Sequence, residues 1–194
     1  MNYVVFDIET QNIFQEVGSS DPADLDISVV SLYDSKTESL HSFMIDDFSK
    51  MWPFFEGTDA IIGYNSNHFD IPLLNKYYAG DLNQIKSIDL LVDIRASLGR
   101  RPKLDDIAAA TLGKNKIAHG LQAVEWWKTG EIDKIKKYCE EDVMITKQVY
   151  DHALEKGFLK LKDKYSNQII EIPIDTSNWK ADKNVGGTIT KSLF

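Results

Sequence analysis

Four carboxylates in three separate stretches are the residues of this chain best suited to chemistry. Asp7 and Glu9 lie in the apolar N-terminal segment, Asp70 ends Gly-Tyr-Asn-Ser-Asn-His-Phe-Asp, and Asp142 ends Tyr-Cys-Glu-Glu-Asp. Carboxylate oxygens are the ligands that hard divalent cations such as Mg²⁺ prefer. A pair of such cations can stabilise both the attacking and the leaving oxygen of a phosphodiester displacement. If the four side chains converge, the sequence predicts metal-dependent phosphodiester hydrolysis.

The first two carboxylates are expected to point the same way. Residues two apart in a β-strand share a face, so Asp7 and Glu9 would lie side by side near the carboxyl end of the first strand. Open α/β sheets bind ligands outside the carboxyl ends of their strands. Two neighbouring carboxylates repel each other unless a cation is present. An isolated Asp-x-Glu is more often a solvent-facing strand end, so the interpretation depends on the other two carboxylates.

Asp70 follows the fourth predicted strand after a polar turn. It is expected to be the N-cap of a helix over 71–78, which by itself would explain an aspartate at this position. In the same turn, Asn65 offers an amide that can order the loop, and Phe69 offers a flat ring for stacking on a base. Ordinary core packing is an equal alternative for Phe69.

Tyr138 and Asp142 lie four residues apart, on one face of a long amphipathic helix predicted over 132–154. The rest of that face is apolar, and an unpaired carboxylate buried there would be costly. Asp142 is therefore the carboxylate that packing explains least. Glu140 and Glu141 fall outside the apolar stripe and are predicted to be solvated.

The order of the predicted elements indicates a single α/β fold. Three strands in series precede two strands with helical crossovers, which predicts a mixed five-stranded sheet flanked by helices, with three antiparallel strands and then two parallel ones. The predicted strands span 3–8, 27–33, 38–44, 60–64 and 88–92, and the predicted helices span 47–56, 71–78, 103–112, 121–128 and 132–154.

Composition restricts the class of protein. A chain of 194 residues can bury a substantial core. No apolar run approaches the roughly 20 residues that cross a bilayer, and no signal peptide is evident, so no membrane association is expected. Cys139 is the only cysteine, which excludes an intrachain disulfide and favours a reducing, cytoplasmic location. The net charge of −8 argues against a protein that coats duplex nucleic acid.

Three segments, taken together, resemble the Exo I, Exo II and Exo III motifs of the DEDD 3′–5′ exonucleases, a branch of the ribonuclease H-like superfamily. Phe-Asp-Ile-Glu-Thr (6–10) resembles the first motif. Residues 63–74 resemble the second, in the form found in proofreading domains of family B DNA polymerases. The segment from Tyr138 to Asp142 resembles the third in its tyrosine version, the DEDDy subclass.

Two further positions bear on this resemblance. Lys-Leu-Asp-Asp-Ile-Ala (103–108) is similar to the segment that precedes the third motif in such domains. Lys137 stands where the alternative subclass carries a histidine, five residues before the last aspartate. The resemblance therefore favours the tyrosine subclass, and it covers about residues 1–155.

The resemblance implies a two-metal site. Asp7, Glu9 and Asp142 would hold one Mg²⁺ or Mn²⁺ ion, Asp7 would bridge to a second, and Asp70 would support that second ion through water. Tyr138 would orient the attacking water, since tyrosine, with a free pKa of about 10, is a poor general base near neutral pH. The expected reaction removes 5′-mononucleotides from a 3′ end.

Single-stranded DNA 3′ ends are the expected substrate, with a separate polymerase or helicase as a candidate partner and the oligomeric state left open. Two alternatives remain at this point. RNA could be the substrate, because no residue is recognisable as a reader of the 2′-hydroxyl. A non-catalytic module that binds nucleic acid or protein is a third reading, against which the four intact carboxylates argue. The expected nucleic-acid contacts are Thr10, Asn65, Phe69, Arg100, Arg101 and Lys103.

The chain is predicted to comprise a ribonuclease H-like exonuclease domain over 1–155, a C-terminal hairpin over 156–179 packed on it, and a flexible tail over 180–194. The acidic connection over 11–26 is long for a loop between strands. Connections of that length are often functional or mobile.

Overall fold

A mixed five-stranded sheet forms the centre of the fold. The computed structural model describes residues 1–114, 120–164 and 166–180. The strands are β1 (Tyr3–Thr10), β2 (Ile27–Asp34), β3 (Ser39–Phe43), β4 (Ala60–Gly63) and β5 (Lys86–Asp89). Their order across the sheet is β3-β2-β1-β4-β5. The pairs β1/β2 and β2/β3 are antiparallel, and β1/β4 and β4/β5 are parallel, which confirms the predicted fold class.

Helices cover both faces of the sheet. The strand β1 is buried on both sides, as its nearly continuous apolar sequence predicts. Val4, Phe6 and Ile8 pack into one core with the second and third helices, whereas Val5 packs into a second core with the seventh. The helices are α1 (Phe14–Val17), α2 (Phe48–Glu56), α3 (Asp70–Asn75), α4 (Leu90–Leu98), α5 (Leu104–Leu112), α6 (Gly120–Thr129) and α7 (Ile132–Lys156).

The alternation along β1 decides where its two carboxylates lie. Asp7 and Glu9 share the parity of Val5, so they belong to the face of the sheet that α7 covers. They stand at the carboxyl end of the strand, beyond its pairing with β4, which ends at Val5.

The fifth strand differs from the sequence prediction. The predicted strand over 88–92 is replaced by β5, which ends at Asp89, and by α4, which was not predicted. The Asp89 carboxylate accepts the backbone N–H of Leu91 at 3.0 Å and so acts as the N-cap of α4. A short apolar run fits a buried strand or a buried helix equally well, and the capping contact decides between them.

Two other predicted elements are also corrected. Asp70 is the first residue of α3 and Phe69 precedes it as the N-cap, so the predicted N-cap role of Asp70 is wrong. The connection 11–26 contains α1 and a short 3₁₀ turn over Pro22–Asp24. Its two ends are joined, because Gln11 N–H donates to the carbonyl of Asp26 at 2.8 Å.

A C-terminal hairpin packs against the second core. It consists of β6 (Phe158–Lys162) and β7 (Ile169–Pro173), which pair antiparallel. Leu159 and Ile172 are buried in the same cluster as Val5 and the α7 side chains. Most of the tail predicted over 180–194, namely 181–194, lies outside the described residues. Within the described part of the chain, no helix combines the length and apolarity needed to cross a bilayer.

Candidate active site

Three of the predicted carboxylates converge where β1 ends beneath α7. One carboxylate oxygen from each of Asp7, Glu9 and Asp142 lies within 4.8 Å of the others. Glu9 and Asp142 are only 8% and 6% exposed. Three carboxyl groups held this closely, two of them almost fully buried, form a donor set of the kind that a hard divalent cation takes.

The packing of α7 places Asp142 in this cluster. Val143 and Val149 of α7 are buried in one core with Val5 of β1. Cys139 lies one turn before Val143, and Ile135 lies two turns before it. Both are buried against Val29 of β2. These contacts fix the position of α7 along its axis and its rotation about that axis. Asp142, which lies between Cys139 and Val143, then points at the end of β1.

Asp70 reaches the same region from the other side of β1. It is 5% exposed, and its carboxyl group lies near the backbone N–H of Ile8. Desolvation by burial raises the pKa of Asp70 to about 7, since it outweighs the lowering effect of the N–H groups of Asp70 and Ile8, and the charge of Asp89 adds to the rise. Asp70 therefore favours its protonated form unless a cation compensates its charge.

Tyr138 stands one turn before Asp142 on α7. It is 4% exposed, and its ring packs edge-on against Trp126 of α6 with a centroid separation of 6.0 Å. This contact sets the orientation of the Tyr138 ring against α6.

All five predicted catalytic residues line one cavity of about 860 Å³. That volume is within the range of sites that hold small ligands. The walls come from β1, the segment after β1, the turn before α3 and the first residues of α5, together with α6 and α7. The lining residues are Asp7, Ile8, Glu9, Thr10, Asn12, Ile13, Phe14, Gln15, Leu25, Tyr64, Asn65, Phe69, Asp70, Lys103, Leu104, Asp105, Leu121, Val124, Tyr138 and Asp142.

The six expected nucleic-acid contacts divide into two groups. Thr10, Asn65, Phe69 and Lys103 line the cavity. The two arginines do not belong to its lining and have partners in the protein: Arg101 donates to the side-chain oxygen of Asn65, and Arg100 forms an ion pair with Asp163 at 2.8 Å. The structure thus places Arg100 against the C-terminal hairpin.

The turn that carries Asn65 into the cavity is organised by Asp89. This carboxylate is 4% exposed and accepts the backbone N–H groups of Asn65 at 2.8 Å and Asn67 at 3.0 Å. Asn65 adopts a left-handed backbone with φ of 66°, which asparagine tolerates better than most residues. Gly63 begins the turn, and a Cβ there would lie 2.5 Å from the Cβ of Ser66. The chain can fold back this tightly only with glycine at that position.

Sequence reasoning missed several residues of the cavity. Asp105 is a fifth carboxylate in its lining, and the segment 103–108 that contains it was assigned a contact only at Lys103. Phe14 also lines the cavity and packs edge-on against Phe69 at 6.2 Å. Leu121 is 69% exposed and still part of the wall. An apolar residue in a connection gives no signal of this kind until the walls of the cavity are known.

Comparison with known proteins agrees with the observed fold. The sequence model of the RNase H superfamily matches residues 4–154. Among solved structures, the chain is similar to the family B DNA polymerase from the hyperthermophilic archaeon Pyrobaculum calidifontis, with a TM-score of 0.60 and 21% sequence identity. The match covers 79% of this chain and 24% of that chain, and at this identity it shows a shared fold. No curated protein sequence matches significantly.

Proposed function

The chain belongs to the RNase H superfamily, and from this premise we propose that it is a metal-dependent 3′–5′ exonuclease that releases 5′-mononucleotides from single-stranded DNA ends. The observation that carries the proposal is the convergence of Asp7, Glu9 and Asp142 within 4.8 Å, in a cavity that also contains Asp70 and Tyr138. The fold shared with a family B DNA polymerase supports a nucleic-acid substrate.

The donor set fits hard divalent cations. Asp7, Glu9 and Asp142 would hold one Mg²⁺ or Mn²⁺ ion, and Asp7 together with Asp70 would hold a second. When bound, such ions lower the pKa of water and stabilise negative charge on the attacking and leaving oxygens. Burial disfavours the carboxylate form of Asp70, and a nearby cation would favour it.

Tyr138 contributes orientation. Its ring is held between α6 and α7, so the hydroxyl can direct a water molecule at the terminal phosphodiester. Removal of the proton from that water is not assigned to this side chain. A fixed donor of this kind acts by keeping the nucleophile in line with the bond that breaks.

The remaining walls of the cavity suit one strand end. Phe69 presents an aromatic ring backed by Phe14, and base stacking on such a ring tolerates any sequence. Thr10 and Asn65 add hydrogen-bonding groups, and Lys103 adds a positive charge for a phosphate. With a net charge of −8, the protein is suited to a few local contacts with a strand and not to wide binding of a duplex.

The test uses a 5′-labelled single-stranded DNA oligonucleotide with Mg²⁺ or Mn²⁺. The wild-type protein is expected to shorten it stepwise from the 3′ end, and Asp7→Asn is expected to abolish turnover while the fold survives. Asp46→Asn, which changes an exposed carboxylate outside the cavity lining, is the matched control and should remain active.

Other outcomes would replace the proposal. Shortening of an RNA oligonucleotide alone would identify an exoribonuclease. Cleavage of circular single-stranded DNA would contradict action at ends. Binding of the oligonucleotide without shortening in either metal would indicate a non-catalytic module.

A further inference from the structure

A row of polar side chains crosses the sheet beneath α7 and includes a metal-binding residue of the proposed site. Asp7 of β1 lies directly opposite Ser31 of β2, and Ser31 lies directly opposite Ser42 of β3. Directly opposed residues of neighbouring strands point to the same face of a sheet. The hydroxyl oxygens of Ser31 and Ser42 are 2.8 Å apart, so the two serines are hydrogen-bonded.

Two consecutive residues of α7, Cys139 and Glu140, contact the two ends of this row. Ser42 donates its hydroxyl proton to Oε1 of Glu140 at 2.6 Å. The thiol of Cys139 lies 3.3 Å from the carbonyl oxygen of Asp7 and 3.7 Å from its Oδ2. Ser31 also lies beside the Cys139 sulfur. The polar side chains therefore follow one another from Glu140 through Ser42, Ser31 and Cys139 to the carboxylate of Asp7.

The number of available protons decides which group donates in each hydrogen bond of the row. Ser42 gives its single proton to Glu140, so the proton between the two serines must come from Ser31. The Cys139 thiol has one proton to donate, and the carbonyl oxygen of Asp7 at 3.3 Å is its nearer acceptor, with Oδ2 at 3.7 Å.

This row lies in an otherwise apolar interface. Ser31 and Cys139 are fully buried, and Cys139 packs with Val29 and Ile135. Buried polar groups are destabilising unless they are hydrogen-bonded. A displacement of α7 by one residue would leave Ser31 and Ser42 without their helix partners. The row thus favours one register of α7 on the sheet, and that register also brings Asp142 to Glu9.

We propose that Ser31, Cys139 and Glu140, linked through Ser42, are positioning residues that hold the carboxylate of Asp7 and the register of α7. They touch neither substrate nor metal in this role and act through Asp7 and Asp142. The inference rests on the proposed function, because Asp7 is the group they hold. Removal of a group that hydrogen-bonds to a metal ligand and orients it typically weakens metal affinity 10- to 100-fold.

The test compares two serines of the same strand. Ser31→Ala removes the centre of the row. Ser28→Ala removes an equally buried β2 hydroxyl that has no hydrogen-bond partner among the described residues. Calorimetric titration with Mn²⁺ is expected to show about tenfold weaker binding for Ser31→Ala and no change for Ser28→Ala. The Mn²⁺ concentration that half-saturates exonuclease activity should rise by the same factor.

A second pair of variants separates positioning from general stability. Cys139→Ala is expected to weaken Mn²⁺ binding, and Cys139→Ser, which restores a donor, is expected to recover it. These variants also carry the test if Ser31→Ala fails to fold. Thermal melting of each variant without metal shows how much stability has changed.

The outcomes distinguish the two proposals. If wild type binds Mn²⁺ and Ser31→Ala and Cys139→Ala bind it equally well, the positioning role is overturned, even if their melting temperatures fall. If wild type binds Mn²⁺ but shortens no oligonucleotide, the exonuclease proposal fails, and the affinity comparison still decides the positioning role. If wild type binds no Mn²⁺, both fail.

Discussion

The carboxyl group of Asp70 lies near the backbone N–H of Ile8, the residue between the two carboxylates of β1, and this N–H lowers the pKa of Asp70. The ladder between β1 and β4 ends at Val5, so the following edge of β1 is open to the turn after β4. Asp70 occupies this edge and reaches the cavity although 62 residues separate it from Ile8 in sequence. The contact anchors the fourth carboxylate to the same strand as the first two.

The burial of Asp70 predicts a pH dependence of stability in the metal-free protein. Its pKa is about 7 in the folded state, against about 3.9 when unfolded. Between these values the folded protein keeps a proton that the unfolded chain has lost, so the free energy of unfolding should fall as pH rises from about 4 to about 7. Urea unfolding with EDTA at pH 5 and pH 8 measures this fall, which Asp70→Asn should reduce.

Metal should reverse that dependence. Saturating Mn²⁺ binds the folded protein only and should stabilise wild type at pH 8 more than Asp70→Asn. Parallel stability curves for the two proteins, with and without metal, would show that Asp70 neither titrates in this range nor takes part in metal binding.

Tyr138→Phe should slow hydrolysis by about 10²-fold, because a misplaced nucleophile costs a factor of that order. The Mn²⁺ affinity should not change, since the hydroxyl is not among the proposed ligands. Tyr150→Phe removes the hydroxyl of another buried tyrosine on α7, outside the cavity, and serves as the control. Single-turnover rates at saturating Mn²⁺ make the comparison, and equal rates for the two variants would remove Tyr138 from the mechanism.

Asp89→Asn should loosen the turn before Asp70. An amide has one acceptor oxygen where the carboxylate has two, so at least one of the N–H groups of Asn65 and Asn67 would lose its partner. An unsatisfied buried group of this kind costs about 1–3 kcal/mol. Amide hydrogen exchange at Asn65 and Asn67 should become faster, and the exonuclease rate should fall.

Asp93→Asn is the control for that variant. Asp93 belongs to the same helix, α4, and accepts the indole N–H of Trp179 at 2.8 Å, away from the turn. Its replacement should affect the packing of Trp179 and leave exchange at Asn65 unchanged. Faster exchange at Asn65 in both variants would mean that the turn responds to general loss of stability.

Lys103 and Arg100, two of the basic residues that follow α4, should behave differently. Lys103 lines the cavity, and Lys103→Ala should raise KM for single-stranded DNA and reduce the slope of log KM against log salt by about 0.7, the value for one phosphate contact on a single strand. Arg100 is paired with Asp163, so Arg100→Ala should leave KM and its salt slope unchanged. An effect of Arg100→Ala as large as that of Lys103→Ala would show that the ion pair opens to bind the substrate.

The sequence by itself determined the features that depend on local periodicity. The alternation of β1 placed Asp7 and Glu9 on one face, and the helical stripe of α7 placed Tyr138 and Asp142 on one side. The mixed sheet followed from the order of strands and crossovers. These features repeat every two or 3.6 residues, so a short window of sequence contains the information.

Only the tertiary structure decided which distant groups satisfy the buried polar atoms. Asp70 was expected to be an N-cap and instead begins α3, with its carboxyl group near the backbone N–H of Ile8. Asp89 accepts a backbone N–H of the turn at Asn65. Glu140 was expected to be solvated, but it is half-buried and accepts the hydroxyl proton of Ser42. The partner of a buried carboxylate is set by the packing of whole elements against one another, and no pattern within either segment specifies it.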